Sequence, residues 1–199
     1  MPAEKFYNEI SSSALAKLKS LSPDLTYHCL DHTLDVLEQC IRISDAEGVE
    51  NQHDLFLLKV AALYHDTGFI ETYRNHESAS CMIFLSEAKK FGFTAEEKEA
   101  ILKLIMVTQI PQQPKDLLEK IICDADLDYL GRDDFFKIGD TLRVEFLQYQ
   151  VVPDNDAWEN LQLKFLKNHA YHTESSRLLR EPSKQLNISK LLLDEHKSS

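Results

Sequence analysis

The amino-acid sequence predicts an all-α protein folded as one domain, and three observations carry that expectation. Glycine and proline are scarce, 5 and 6 in 199 residues, which disfavours turn-rich sandwiches and barrels. Apolar side chains recur at three- and four-residue spacing through most of the chain, divided by start and stop signals into helix-sized pieces. No segment reads as a convincing strand. With 43% hydrophobic and 28% charged residues, the composition supports a packed core and not a disordered chain.

A first helix is expected over 3–19, stopped near Ser22-Pro23. A second covers 26–47 and ends at Gly48; its Leu30, Leu34, Leu37 and Ile41 form one apolar stripe, opposite a face carrying His28, His32, Asp35, Gln39 and Arg42. The third starts at Asp54, read as its N-cap, and runs to about Asp66, with Gly68 as the closing residue. After a loop to about Asn75, a helix over 76–91 closes at Gly92. Thr94-Ala-Glu-Glu97 is a capping box that opens a helix to about Thr108. Beyond Pro111 and Pro114, helices are expected over 115–130 and 133–149, around Gly131. Asp156-Ala-Trp-Glu159 reads as a second capping box, opening a helix towards His169, and the tail is helical to Leu193 with a break near Pro182. Residues 1–24 are thus an N-terminal helix, and 25–199 the rest of one compact domain.

The charge balance, 22 − 33 = −11, with pI ≈ 5.1, disfavours nucleic-acid binding. No stretch approaches the roughly 20 apolar residues of a membrane span, and the first residues have no apolar leader. Cys29, Cys40, Cys81 and Cys123 form no Cys-x-x-Cys pair and read as reduced thiols, as expected of a cytoplasmic protein.

Three places carry chemistry. His28 and His32 are four apart, so on a continuous helix both imidazoles can enter one cleft. The apolar run Ala61-Ala-Leu-Tyr ends abruptly in His65-Asp66, an imidazole and a carboxylate able to reach one ion over a helix end. A second such dipeptide, His53-Asp54, opens a helix and reads as structural. Cys123-Asp-Ala-Asp-Leu-Asp128 places three acids at alternate positions in an apolar stretch, where burial demands partners. It is not a calcium loop, because Tyr129 and Phe135 stand where that loop needs Gly and Glu. Helical spacing puts Asp124 and Asp128 on one face and Asp126 on the other, and does not choose between the faces.

In order, His32, His65-Asp66 and an acid of the 124–128 cluster make an H…HD…D pattern, and here the chain resembles the HD-domain metal-dependent phosphohydrolases. The matching segments are Tyr27-His-Cys-Leu-Asp-His-Thr33, Ala61-Ala-Leu-Tyr-His-Asp-Thr-Gly68 and the acid cluster. Asn75-His-Glu-Ser-Ala79 and the tail Gln162-Leu-Lys-Phe-Leu-Lys-Asn-His-Ala-Tyr-His-Thr173 are similar to a branch of small bacterial predicted phosphohydrolases, so the resemblance covers about residues 25–190.

The resemblance implies an all-helical HD-domain bundle with a divalent metal (Mn, Fe, Co, Ni, Zn or Mg) between its central helices. It implies His32, His65, Asp66 and Asp126 as ligands, with Asp124 as the second choice for the fourth. His28 matches the histidine that protonates the leaving group in the cyclic-nucleotide phosphodiesterase branch, and Asp66 is expected to orient or deprotonate water. His76 and Glu77 are candidates for a second metal or for substrate, and Arg74 and Arg132 for a phosphate clamp. One tightly held metal is expected, and Asp128→Asn is expected to behave close to wild type.

The implied function is hydrolysis of a phosphate ester, of a nucleotide or related small molecule, by metal-activated water. The alternatives are a non-catalytic nucleotide-sensing or partner-binding HD module and a di-iron oxygenase. The oxygenase requires more histidines than the single His76 between Asp66 and Asp126.

Overall fold

A computed structural model describes residues 3–198, with side chains described as far as Leu193. Among the described residues there are nine α-helices and no strand: α1 (Tyr7–Leu18), α2 (Leu30–Ala46), α3 (Gln52–Tyr64), α4 (His76–Phe91), α5 (Ala95–Met106), α6 (Leu117–Asp126), α7 (Phe135–Gln148), α8 (Asn155–Asn168) and α9 (Glu174–Ser198). Short 3-10 turns lie at Ala3–Phe6, Thr67–Ile70 and Asp128–Gly131.

α3 is apolar all round, and a helix of that kind must be surrounded. Phe56, Leu57, Leu58 and every residue from Val60 to Tyr64 are buried, with α1, α2, α5 and α6 packed about them. Ile10 and Ala14 of α1 join this core, as do Val36 and Ile43 of α2 and Ile121 and Ile122 of α6. A second core gathers Tyr27, Leu127, Tyr129, Leu130 and Phe135 with Leu163 and Leu166 of α8 and Ile188 of α9. Asp126 lies between Ala125, in the first core, and Leu127, in the second.

Several expectations change. α2 starts at Leu30, not at residue 26, because the Glu145 carboxylate accepts hydrogen bonds from the Tyr27 and His28 amides and holds that segment in a non-helical bend. The expected apolar stripe is split: Leu34 and Ile41 are 41% and 42% exposed while Leu37 packs against the first core, and Val36, Gln39, Cys40 and Ile43 are buried. The polar face turns inward because α2 is covered there by charged partners, Arg42 reaching Asp128 at 2.7 Å and Asp35 meeting Arg132.

The N-cap of α3 is Asn51, whose side chain accepts from the His53 amide; Asp54 lies in the first turn. Asp154, not Asp156, caps α8, accepting from the Ala157 amide. The capping box at Thr94 is present in full. Gly92 ends α4 at φ +73°, as a closing glycine should. Gly68 acts differently, since it sits inside a 3-10 turn against α4, where a Cβ would lie 1.9 Å from the His76 carbonyl oxygen. α6 gives way after Asp126 to the 3-10 turn. α9 runs through Pro182 without a break, on a side where water can serve the carbonyl left without a partner.

Candidate metal centre

The centre forms where three elements end or begin. α3 stops at Tyr64 and presents His65 as its C-cap, followed by Asp66. α6 stops at Asp126 itself, and His32 stands in the first turn of α2. Two helix C-termini therefore converge on one point, and their partial negative charge favours a cation there.

Ligand atoms of His32, His65 and Asp66 lie within 4.8 Å of one another. His65 Nε2 is 3.4 Å from His32 Nε2 and 3.2 Å from Asp66 Oδ2, and His32 Nε2 is 3.4 Å from that same oxygen. Two donors on a tetrahedron of ~2.1 Å metal–nitrogen bonds stand about 3.4 Å apart, so the trio has the spacing of a coordination shell. Asp126 is outside the tight trio but joins it through both histidines, its Oδ1 being 3.3 Å from His32 Nε2 and 3.7 Å from His65 Nε2. Its Oδ2 accepts from Gln112 Nε2 at 3.1 Å, which fixes the carboxylate.

The chemistry of these atoms fits a divalent cation. His65 Nδ1 faces the Ala62 carbonyl at 2.8 Å, and a carbonyl only accepts, so the proton sits on Nδ1 and Nε2 is left as a ligand. Asp66 is 2% exposed, yet its Oδ2 has no hydrogen-bond partner. A buried carboxylate oxygen without a donor is costly, and a cation is the partner it lacks. Burial alone disfavours a charged His65, but the neighbouring Asp66 and Asp126 carboxylates raise the imidazole to about 9. Burial likewise works against the Asp66 anion, and His65 with its neighbours still holds that carboxyl well below the usual range.

His28 lies beside this trio, its ring centroid 5.9 Å from those of His32 and His76. Its Nδ1 is hydrogen-bonded to Glu145 Oε1, which also accepts from the Tyr73 hydroxyl at 2.9 Å. Nε2 is thereby the free nitrogen. The ring stacks on Phe69, and Phe69 stacks on His76. Burial lowers the affinity of His28 for a proton, but the Glu145 hydrogen bond and the surrounding carboxylates raise its pKa above the ordinary value. Glu145 and Tyr73 had no sequence signal as site residues. Glu145 lies more than a hundred residues from His28 on α7, and only its complete burial marks it.

His76 and Glu77 open α4 on the other side of Asp66. His76 Nε2 is 3.3 Å from Asp66 Oδ1 and 3.7 Å from Glu77 Oε1, and Glu77 Oε2 is buried without a hydrogen-bond partner. His28, Asp66, His76, Glu77 and Asp126 share one end of a cavity of about 280 Å³.

Three expected site residues lie elsewhere. Asp124 is wholly buried but faces away from the centre, accepting from the His172 and Thr173 amides and the Thr173 hydroxyl at 2.6–2.8 Å. Arg132 is engaged by Asp35 and Asp134 at 2.7–2.9 Å and does not line the cavity. Arg74 is exposed and does not line the cavity. Asp128 is also corrected: it is fully buried and paired with Arg42 and Arg180, so it is far from dispensable.

A family model described as HD domain matches residues 29–128. No curated protein and no solved structure matches the chain.

Proposed function

Because this chain belongs to the HD-domain family, we propose that it is a metal-dependent phosphohydrolase acting on a small-molecule phosphate ester. The observation that carries this reading is the orphaned Asp66 Oδ2, buried and facing the Nε2 atoms of His32 and His65. His32, His65, Asp66 and Asp126 would hold a divalent cation, which would supply Lewis-acid charge and lower the pKa of a water molecule there. Asp66 has a second oxygen, Oδ1, turned towards His76 and the cavity, where it can orient water and take up its proton. His28 stands ready as the acid. Glu145 fixes its Nδ1–H, and the proton on Nε2 is available to the departing ester oxygen.

The test is a turnover screen of metal-reconstituted protein against phosphomonoesters and cyclic nucleotides, with metal content measured in parallel. We expect phosphate-ester cleavage that depends on one tightly bound ion. Protein that holds its metal and cleaves no ester would instead be a binding or sensing module. Two tight equivalents of metal would place a second ion between Asp66, His76 and Glu77.

A further inference from the structure

The cavity beside the metal centre is chemically two-ended. All of its ionisable lining other than tyrosine lies at the metal end, in His28, Asp66, His76, Glu77 and Asp126. Beyond them the walls are apolar side chains from α7 and α8, chiefly Leu142, Phe146, Trp158, Leu161, Phe165 and Leu166. No lysine or arginine among the described residues lines it. Lys164 borders a neighbouring cavity, on the far side of the wall that Leu161 and Phe165 share.

Each feature excludes a class of ligand. The metal end can neutralise one phosphate, and a second phosphate in the apolar end would lie buried without a counter-charge. A nucleobase presents several donors and acceptors along its edge. Thr108 Oγ1 already donates to the Ile105 carbonyl, which leaves Gln162 as the one side-chain amide on the wall. Unpaired polar edges would oppose binding. An apolar group has no such cost and gains by leaving water.

We infer that the apolar chamber built by α7 and α8 selects a monophosphate ester of an uncharged, apolar organic group, alkyl or aryl, in preference to a nucleotide or a diphosphate. The inference rests on the phosphohydrolase reading for its phosphate, and on the chamber for the rest. Its wall comes from residues beyond 128, outside the matched family region. The candidate ligands His32, His65, Asp66 and Asp126 thus lie within the matched region and the apolar wall beyond it.

Trp158 is the sole tryptophan and lines the chamber, so its fluorescence reports occupancy directly. Titrating metal-loaded protein with hexylphosphonate, methylphosphonate and methylenediphosphonate tests the inference. Hexylphosphonate should shift Trp158 emission and bind about tenfold or more tighter than methylphosphonate, the gain expected from as few as two buried methylenes. Methylenediphosphonate should leave the emission unchanged. Leu161, already 38% exposed, tolerates substitution, and Leu161→Arg should weaken hexylphosphonate and admit the diphosphonate.

Hexyl phosphate and phenyl phosphate should be hydrolysed faster than adenosine monophosphate, and these two arms separate alkyl from aryl. Equal affinity for hexyl- and methylphosphonate, or preference for the nucleotide, overturns the inference while leaving the phosphohydrolase reading in place. A Trp158 response to hexylphosphonate without cleavage of any ester overturns the phosphohydrolase reading and leaves the chamber's preference standing.

Discussion

Asp124 and Asp126 are two residues apart and do unrelated work. Asp126 faces two imidazole nitrogens, whereas Asp124 ties the backbone ahead of α9 to α6 through three hydrogen bonds. Asp126→Asn should therefore lose bound metal with little change in the fold, read by elemental analysis and circular dichroism. Asp124→Asn should keep the metal but lose about 3 kcal/mol of stability, a fall in Tm of roughly 10 °C. Metal loss from Asp124→Asn alone would reverse the assignment. Glu145 admits an equally sharp test. Its carboxylate works against burial to keep His28 protonated, so the folded pKa of His28 is raised. Activity that needs this proton is present below that pKa and lost as pH rises through it. Glu145→Gln keeps an acceptor for the Tyr27 and His28 amides but removes the charge. The basic limb of the kcat profile should then move to lower pH by about one unit or more. An unmoved limb would mean that His28 is not the acid.

At the scale of elements, the decisive joint is between the Thr67–Ile70 turn and α4. Ser80 Oγ accepts from the Gly68 amide at 2.8 Å and donates to the His65 carbonyl at 2.6 Å, so one hydroxyl joins α4 to the end of α3. Gly68 is needed for closeness and not for a special φ, since its absent side chain is what lets the His76 backbone approach. Gly68→Ala must push α4 away and carry His76 and Glu77 from Asp66. We expect a loss of about 3 kcal/mol, together with impaired catalysis. Gly48→Ala is the control. Gly48 has φ +73° with nothing within 4 Å of the point a Cβ would occupy, so the change should cost only about 1 kcal/mol and leave activity unchanged. Thermal melts and kcat of the two variants decide the matter.

For the whole molecule, the net charge of −11 attracts a divalent cation and repels a phosphate dianion. With no lysine or arginine lining the cavity among the described residues, only the candidate metal centre and the histidines beside it offset that repulsion locally. KM for a phosphate ester should accordingly fall about twofold as salt rises from ~20 to ~200 mM, because screening weakens the repulsion. A protein that gathers its substrate with surface arginines would show the opposite slope. No helix among the described residues is long and apolar enough to cross a membrane.

Much of the metal centre was legible in the sequence because its parts are local. An apolar run that stops in His65-Asp66 marks a buried helix ending in candidate ligands, and α3 is such a buried helix. The all-α class was legible too, from sparse glycine and a helical period that packing only had to assemble. Tertiary structure alone decided which face of α2 is inside, because Arg42 and Asp35 are covered only when the 128–131 turn and Arg132 after it bring their partners. Helical period places Asp126 and Asp124 on opposite faces without choosing between them; the family resemblance favoured Asp126, and the tertiary structure sets it against two imidazoles and Asp124 against the backbone ahead of α9. It alone gave His28 its Glu145 and the cavity its apolar wall, since both come from helices α7 and α8, far along the chain from His28. Periodicity reports the face a helix offers; which neighbour covers that face is set by contacts that are long-range in sequence.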